Sequence, residues 1–400
     1  MTIYLNELGL ACALGSDKQT VLNNFLAGDA SFMKRDNTFG IETVIGQVDD
    51  NLPDLSTYGP YQKSRNNQLA LLAFQQIEGK LSKLKSSLAN KLQRDINIAV
   101  IIGTSTSGIA SGEASMQNYL ATGEHNANFN YTMQEMGATA EFIALLAQAN
   151  ASVYGISTAC TSSAKALISG QRLLASGLAD IVIAGGVDSL CKMTINGFNA
   201  LESISANHTQ PMQETRCGIN IGEAAALFIM SQEQSEITLS GFGESSDAHH
   251  ISAPQPEGIG ARKAMLSALE SANLTAKEIN YINLHATGTL QNDAMEAKAV
   301  ASIFSNITPC SASKQLHGHC LGAAGALEAG LCWLLLSTEN NDNNYPVMHL
   351  LADVDDNIDE INLISESCNI DKKLNHCMSN SYAFGGNNAS LVLSRTHKRS

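Results

Sequence analysis

The sequence predicts an α/β layered fold built from two related halves. Three observations carry that expectation. Short β-branched runs alternate with longer Ala- and Leu-rich stretches, the pattern of strands buried on both faces between helices. The chain has 400 residues, 44% of them apolar, enough for one large core or two smaller ones. Residues 159–174 can also be laid on residues 319–334 without a gap. In that overlay Cys160 falls on Cys320, Ala164 on Ala324, Ala166 on Ala326, Leu167 on Leu327, Gly170 on Gly330 and Leu174 on Leu334. A duplication in this register puts two equivalent small-residue helices side by side in the core.

The first fifteen residues include Glu7 and no basic run ahead of an apolar stretch, so they read as a first strand and not as a secretory leader. Runs at 96–102, 181–184, 225–230, 281–284 and 390–393 read as further strands. After the run at 225–230 come Gln232, Glu233, Gln234 and Ser235, and a fresh strand start follows at Ile237. The boundary is placed there, giving an N-terminal half, 1–235, and a C-terminal half, 236–400. The longest apolar stretch, 320–336, contains Glu328 and is too short and too charged to span a bilayer. It reads as a buried helix.

A net charge of −14 works against binding nucleic acid or an anionic membrane surface. It also repels acidic proteins, so an acidic partner needs a local basic patch. Nine cysteines, an odd number without a secretory signal, argue against a disulfide framework and for buried thiols in a cytoplasmic protein.

Three segments offer chemistry. Gly155 to Ala164 has the form of a strand, a tight turn and a helix start, with Thr and Ser available as caps. Cys160 then sits near a helix N-terminus, where unpaired amides and the helix dipole favour a thiolate nucleophile. His285 follows a strand and precedes Ala286-Thr287-Gly288-Thr289, with Asp293 and Glu296 shortly after. It suits a cleft-facing histidine or a hydrogen-bonded core one. His319 heads the second copy of the repeated helix, so the duplication makes Cys160 and His319 near-equivalent positions. His317, His319 and Cys320 also have zinc-ligand chemistry, as do Asp247, His249 and His250. Finally, Tyr382-Ala383-Phe384-Gly385-Gly386-Asn387 precedes the last strand, and its glycines allow backbone N–H groups to face an oxyanion.

Taken together and in order, these segments resemble the elongating β-ketoacyl-(acyl-carrier-protein) synthases of the thiolase superfamily. Thr158-Ala159-Cys160-Thr161-Ser162-Ser163 is similar to the family's nucleophile motif, and His285-Ala286-Thr287-Gly288-Thr289 to its first histidine motif. Residues 314–325 resemble its lysine and second histidine motif. The segments at 216–223, 247–260 and 382–387 are similar to family segments too.

The resemblance implies a thiolase-like duplicated five-layer α/β/α/β/α fold and an acyltransferase. Cys160 is expected to take the acyl chain from an acyl carrier protein, with the N–H groups of Cys160 and Phe384 as oxyanion hole. His285 and His319 are expected to steady the enolate formed as malonyl carrier protein loses carbon dioxide. Lys314 and Glu296 resemble the family's buried ion pair, Lys63 and Arg65 its carrier-protein contact, and Thr106 its acyl-pocket residue. No metal, nucleotide or redox cofactor is implied. The expected assembly is a homodimer, or a heterodimer with a related chain-length factor. Gln315 and His317 stand where fatty-acid enzymes usually have Ser and Thr, and Thr106 replaces a large aliphatic group, which points to a type II polyketide or aryl polyene system. Two other readings share the fold: a scaffolding chain-length-factor-like subunit, which should lack Cys160, and a thiolase, which should carry a second cysteine where Phe384-Gly385-Gly386 stands.

Overall fold

The computed structural model describes residues 1–49, 51–340, 342–348, 350–365 and 374–396. Ten strands form the main sheet system: β1 (Tyr4–Ala11), β2 (Ile98–Gly103), β3 (Val153–Ile156), β4 (Ile181–Asp188) and β5 (Ala224–Ser231), then β6 (Ile237–Ser246), β7 (Tyr281–Asn283), β8 (Cys310–Ser311), β9 (His376–Tyr382) and β10 (Asn387–Arg395). Their spatial order is β8-β7-β9-β10-β6, then β1-β5-β4-β2-β3. The second five repeat the first. In each, the first strand pairs antiparallel with the fifth and the fifth antiparallel with the fourth. The fourth then pairs parallel with the second, and the second parallel with the third. The two runs meet at β1 and β6, where Tyr4 pairs with Thr238.

Six helices repeat in the same way: α1 (Arg65–Leu92), α2 (Ala138–Ala147) and α3 (Ser162–Ala175) in the first half, α4 (Ile259–Ala272), α5 (Leu290–Phe304) and α6 (Ala324–Leu336) in the second. The alternation of side chains along each strand sorts them into layers. On β2, Ile98, Val100 and Ile102 pack outward against α1 and α2, while Ala99 and Ile101 pack inward with Ala164 and Leu167 of α3. On the other side, Ile282, Met378 and Val392 meet α4 and α5, while Tyr281, Cys377 and Leu391 face the central layer. Helices α3 and α6 form that layer, giving five in all. Every residue of α6 is buried, which explains its near-uniform apolar sequence. At Gly325 the two central helices come so close that a Cβ would lie 2.8 Å from that of Ala164. The overlay seen in the sequence is thus a contact between equivalent helices.

No described helix is long and apolar enough to cross a membrane. A small second sheet, Lys34–Asp36, Thr43–Gly46 and Ile221–Gly222, braces one wall of the site. Its last strand clasps His319, whose N–H donates to the Asn220 carbonyl at 2.7 Å and whose carbonyl accepts from Gly222 at 3.0 Å.

Candidate active site

Cys160, His285 and His319 converge at one end of the central layer, at the bottom of a cavity of about 580 Å³. Each arrives from a different element. Cys160 stands in the turn between β3 and α3, after Ala159 with its left-handed φ of +53°. The Thr and Ser side chains stitch this turn: the Thr161 hydroxyl donates to the Thr158 carbonyl (2.8 Å), and Ser162 Oγ accepts from Thr158 N–H (2.9 Å). Local polar groups thus satisfy a backbone that the helix and the strand both abandon.

His285 follows β7. Glu296 of α5 accepts from the N–H groups of both His285 (2.8 Å) and Ala286 (2.6 Å), and Asp293 accepts from Gly288 (3.2 Å) and Met212 (2.8 Å). Three residues apart on one helix, the two carboxyls face the same side and together set the 285–288 turn. His319 Nε2 lies 3.0 Å from Cys160 Sγ, and the His285 and His319 rings stand nearly perpendicular with centroids 5.5 Å apart. Among the described residues, His319 Nδ1 has no hydrogen-bond partner.

Lys314, only 1% exposed, reaches into this cluster. Its ammonium donates to the His285 carbonyl (2.5 Å), lies 3.3 Å from His285 Nδ1, and forms an ion pair with Glu328 of α6. The partner expected from the sequence, Glu296, is occupied by backbone N–H groups instead. Glu328 is the Lys314 partner that the sequence reading missed; its signal was the lone charge in the apolar stretch 320–336.

Burial dominates the electrostatics. It holds both histidines well below the usual imidazole value, with the Lys314 charge adding to the effect, so both are neutral at neutral pH. Glu296 is pushed up to about 8 and Glu328 to about 7 by the same desolvation. The Cys160 thiol is pushed up to about 11 by burial, while Lys314 and the backbone N–H groups of Phe384 and Cys160 pull the other way. Burial thus works against the low thiol value expected from the helix N-terminus, because a largely buried sulfur loses more hydration than the helix end returns. The thiol rests protonated beside an imidazole that can take the proton.

Phe384 presents its backbone N–H to the sulfur and its ring to Phe198, centroids 5.4 Å apart. Its loop is tied to the 247–251 segment, with Gly385 N–H donating to the Ile251 carbonyl and Asp247 N–H to that of Gly386.

Several expectations fail on geometry. Arg65, expected as a carrier-protein contact, instead grips the buried Glu223 carboxylate through two guanidinium nitrogens at 2.5 and 2.8 Å. Lys63 is half-buried at the preceding turn. Thr106 does not line the cavity; it is fully buried and its hydroxyl donates to Asp188 (2.7 Å), which also accepts from Thr104, Ser105 and Ala323. The zinc sets suggested by the sequence do not assemble. His317 Nδ1 bonds the Gly318 carbonyl, while His319 turns to Cys160. Asp247 accepts from Asn388 and Gln255, and His250 Nδ1 accepts from Ser252 and Ala253. Among the described residues, the metal-type donors that do gather are those of Cys160, His285 and His319, all within 4.8 Å of one another.

Residues 47–235 match the family model described as beta-ketoacyl synthase, N-terminal domain, and residues 237–344 match its C-terminal domain. The whole chain also superposes on a ketosynthase (ApeO) from Xenorhabdus doucetiae, solved in complex with its chain length factor (ApeC), with a TM-score of 0.92 and 40% identity over 99% of this chain and 98% of that one. The chain belongs to the β-ketoacyl synthase family. It is also similar to a 3-oxoacyl-[acyl-carrier-protein] synthase 2 of Rhizobium meliloti, 34% identical over 60% of each chain. A Nodulation protein E of Rhizobium sp. is 26% identical over 98% of each. This β-ketoacyl synthase chain therefore spans 60% of the length of the first of these curated relatives and nearly all of the second. The match to the ketosynthase family removes the thiolase reading, and Phe384-Gly385 stands where that reading needed a cysteine.

Proposed function

We propose that the chain is the nucleophile-bearing subunit of a ketosynthase that condenses a Cys160-bound acyl group with malonyl carrier protein. The observation that carries the reading is the 3.0 Å approach of His319 Nε2 to Cys160 Sγ, with His285 alongside. As Sγ attacks the carrier thioester, its proton passes to His319 Nε2 and on to the departing carrier thiolate. The carbonyl oxygen of the tetrahedral intermediate is placed against the N–H groups of Cys160 and Phe384. Malonyl carrier protein then enters. When its C–C bond to the carboxylate breaks, carbon dioxide leaves and the electron pair moves onto the thioester oxygen, which takes hydrogen bonds from the two neutral imidazoles. The enolate carbon attacks the Cys160 thioester, releasing Sγ and giving a β-ketoacyl carrier protein. His319 is suited to both half-reactions, because no hydrogen bond among the described residues fixes its Nδ1 in either tautomer.

We assign Lys314 the role of orienting His285, and Glu328 and Glu296 the roles of holding Lys314 and the 285–286 backbone. The reading places the protein in the cytoplasm and pairs it with a chain-length-factor-like subunit, as in the ApeO complex, or with a second copy. Lys63 stays a proposed carrier contact. The departures at Gln315 and His317 favour an aryl polyene or related type II polyketide substrate over housekeeping fatty acids.

The test is a condensation assay with acyl and malonyl carrier proteins, with and without the candidate partner subunit. His285→Ala is expected to acylate Cys160 near the parent rate while losing about 10²–10⁴-fold in carbon dioxide release. His319→Ala is expected to slow both steps. Equal effects of the two variants on both half-reactions would overturn the assignment of roles.

A further inference from the structure

A thiol and two imidazoles with donors within 4.8 Å of one another form a set that zinc accepts. Tetrahedral zinc needs such donors about 3.3–3.6 Å apart, so this set has roughly an ångström to close. A nucleophile captured this way is blocked, because a metal-bound thiolate no longer attacks a thioester. The arrangement that suits the chemistry is therefore also a trap for a thiophilic cation.

One neighbour stands against the trap. The Lys314 ammonium lies 3.3 Å from His285 Nδ1. An ammonium offers only protons, so Nδ1 is the accepting nitrogen and the ring proton sits on Nε2. A protonated Nε2 donates well to an enolate oxygen but has no lone pair for a metal. We infer that Lys314 keeps divalent metal off the Cys160–His285–His319 cluster by locking the His285 tautomer.

Lys314 is on this account a positioning residue with a second task. Exchanging it for a neutral side chain turns a poor metal site into a good one. The metal claim rests on geometry alone, whereas its consequence for turnover rests on the condensing-enzyme reading, and the two are measured separately.

The test uses the purified full chain and zinc ion alone, titrated against a chromophoric chelator near pH 7.5. Lys314→Met is paired with Glu328→Leu so that no lone buried charge remains. The double variant is expected to bind one zinc per chain at least about 100-fold more tightly than the parent. Adding Cys160→Ala should abolish the gain. Equal affinity of parent and double variant overturns the inference, as does a gain that survives Cys160→Ala. If the double variant does not fold, alkylation of Cys160 in the parent decides: zinc should leave its rate unchanged, and protection by zinc means that Lys314 does not exclude the metal.

Discussion

Replacing Glu328 by leucine removes one half of a buried ion pair and leaves the other in place. Lys314 keeps two contacts, the His285 carbonyl and Nδ1, but both are neutral, so its charge is left uncompensated at 1% exposure. At pH 8, where Glu328 is ionised, one-sided removal of this kind costs about 3–5 kcal/mol. The cost depends on pH in a definite direction. Burial raises Glu328 from its usual 4.5 to about 7, so between those values the folded parent holds a proton that the unfolded chain has lost. Stability from a raised group is complete below the unfolded value and is lost as pH climbs through the folded one. The parent's advantage over Glu328→Leu should therefore be about 1–2 kcal/mol smaller at pH 8 than at pH 6. Urea midpoints at both pH values and at one fixed protein concentration provide the assay. A cost below about 1 kcal/mol at pH 8, where the Glu328 carboxyl is ionised, would refute the ion pair as a structural element. A cost that does not change with pH would refute the raised carboxyl. The double exchange Lys314→Met with Glu328→Leu should be close to neutral for stability, because an apolar pair of similar volume needs no compensation.

Two further outcomes follow from the site. With the thiol held up near 11, alkylation of Cys160 by iodoacetamide should rise about tenfold per pH unit from pH 7 to 10; a plateau below pH 8 would show a resting thiolate. At Gly103, where β2 ends against the start of α3, an added Cβ would lie 2.3 Å from Ser163 N, so Gly103→Ala should cost about 1–3 kcal/mol and slow acylation by displacing the Cys160 turn. Unchanged acylation in that variant would mean the turn is positioned from elsewhere.

How far the sequence could be read depended on whether a residue's role is local. Strands such as Ala224–Ser231 and Ile181–Asp188 announce themselves because they are apolar up to their last residue. β9 went unseen because its sequence is HCMSNSY; in the fold its serines and asparagine are buried, and the Ser390 hydroxyl donates to Asn380 (2.8 Å). Cys160, His285 and His319 were legible from turn chemistry and from the repeat, since each heads or ends an element with a recognisable boundary. Charge pairings were not. Lys314 meets Glu328 because α6 runs back past the short helix Lys314–His317, and Arg65 meets Glu223 across 158 positions. Neither meeting leaves a trace in local pattern. The raised thiol was not legible for a similar reason: a helix N-terminus is visible in sequence, whereas burial of the sulfur is a property of the packed layers.

The most direct test is intact-protein mass spectrometry after incubation with acyl carrier protein thioesters of several chain types, on the parent and on Cys160→Ala, with and without the candidate partner subunit. The account predicts one acyl adduct on the parent, absent from Cys160→Ala, with a chain preference that separates fatty-acid from polyketide substrates. No adduct under any of these conditions, or an adduct that persists in Cys160→Ala, would contradict it.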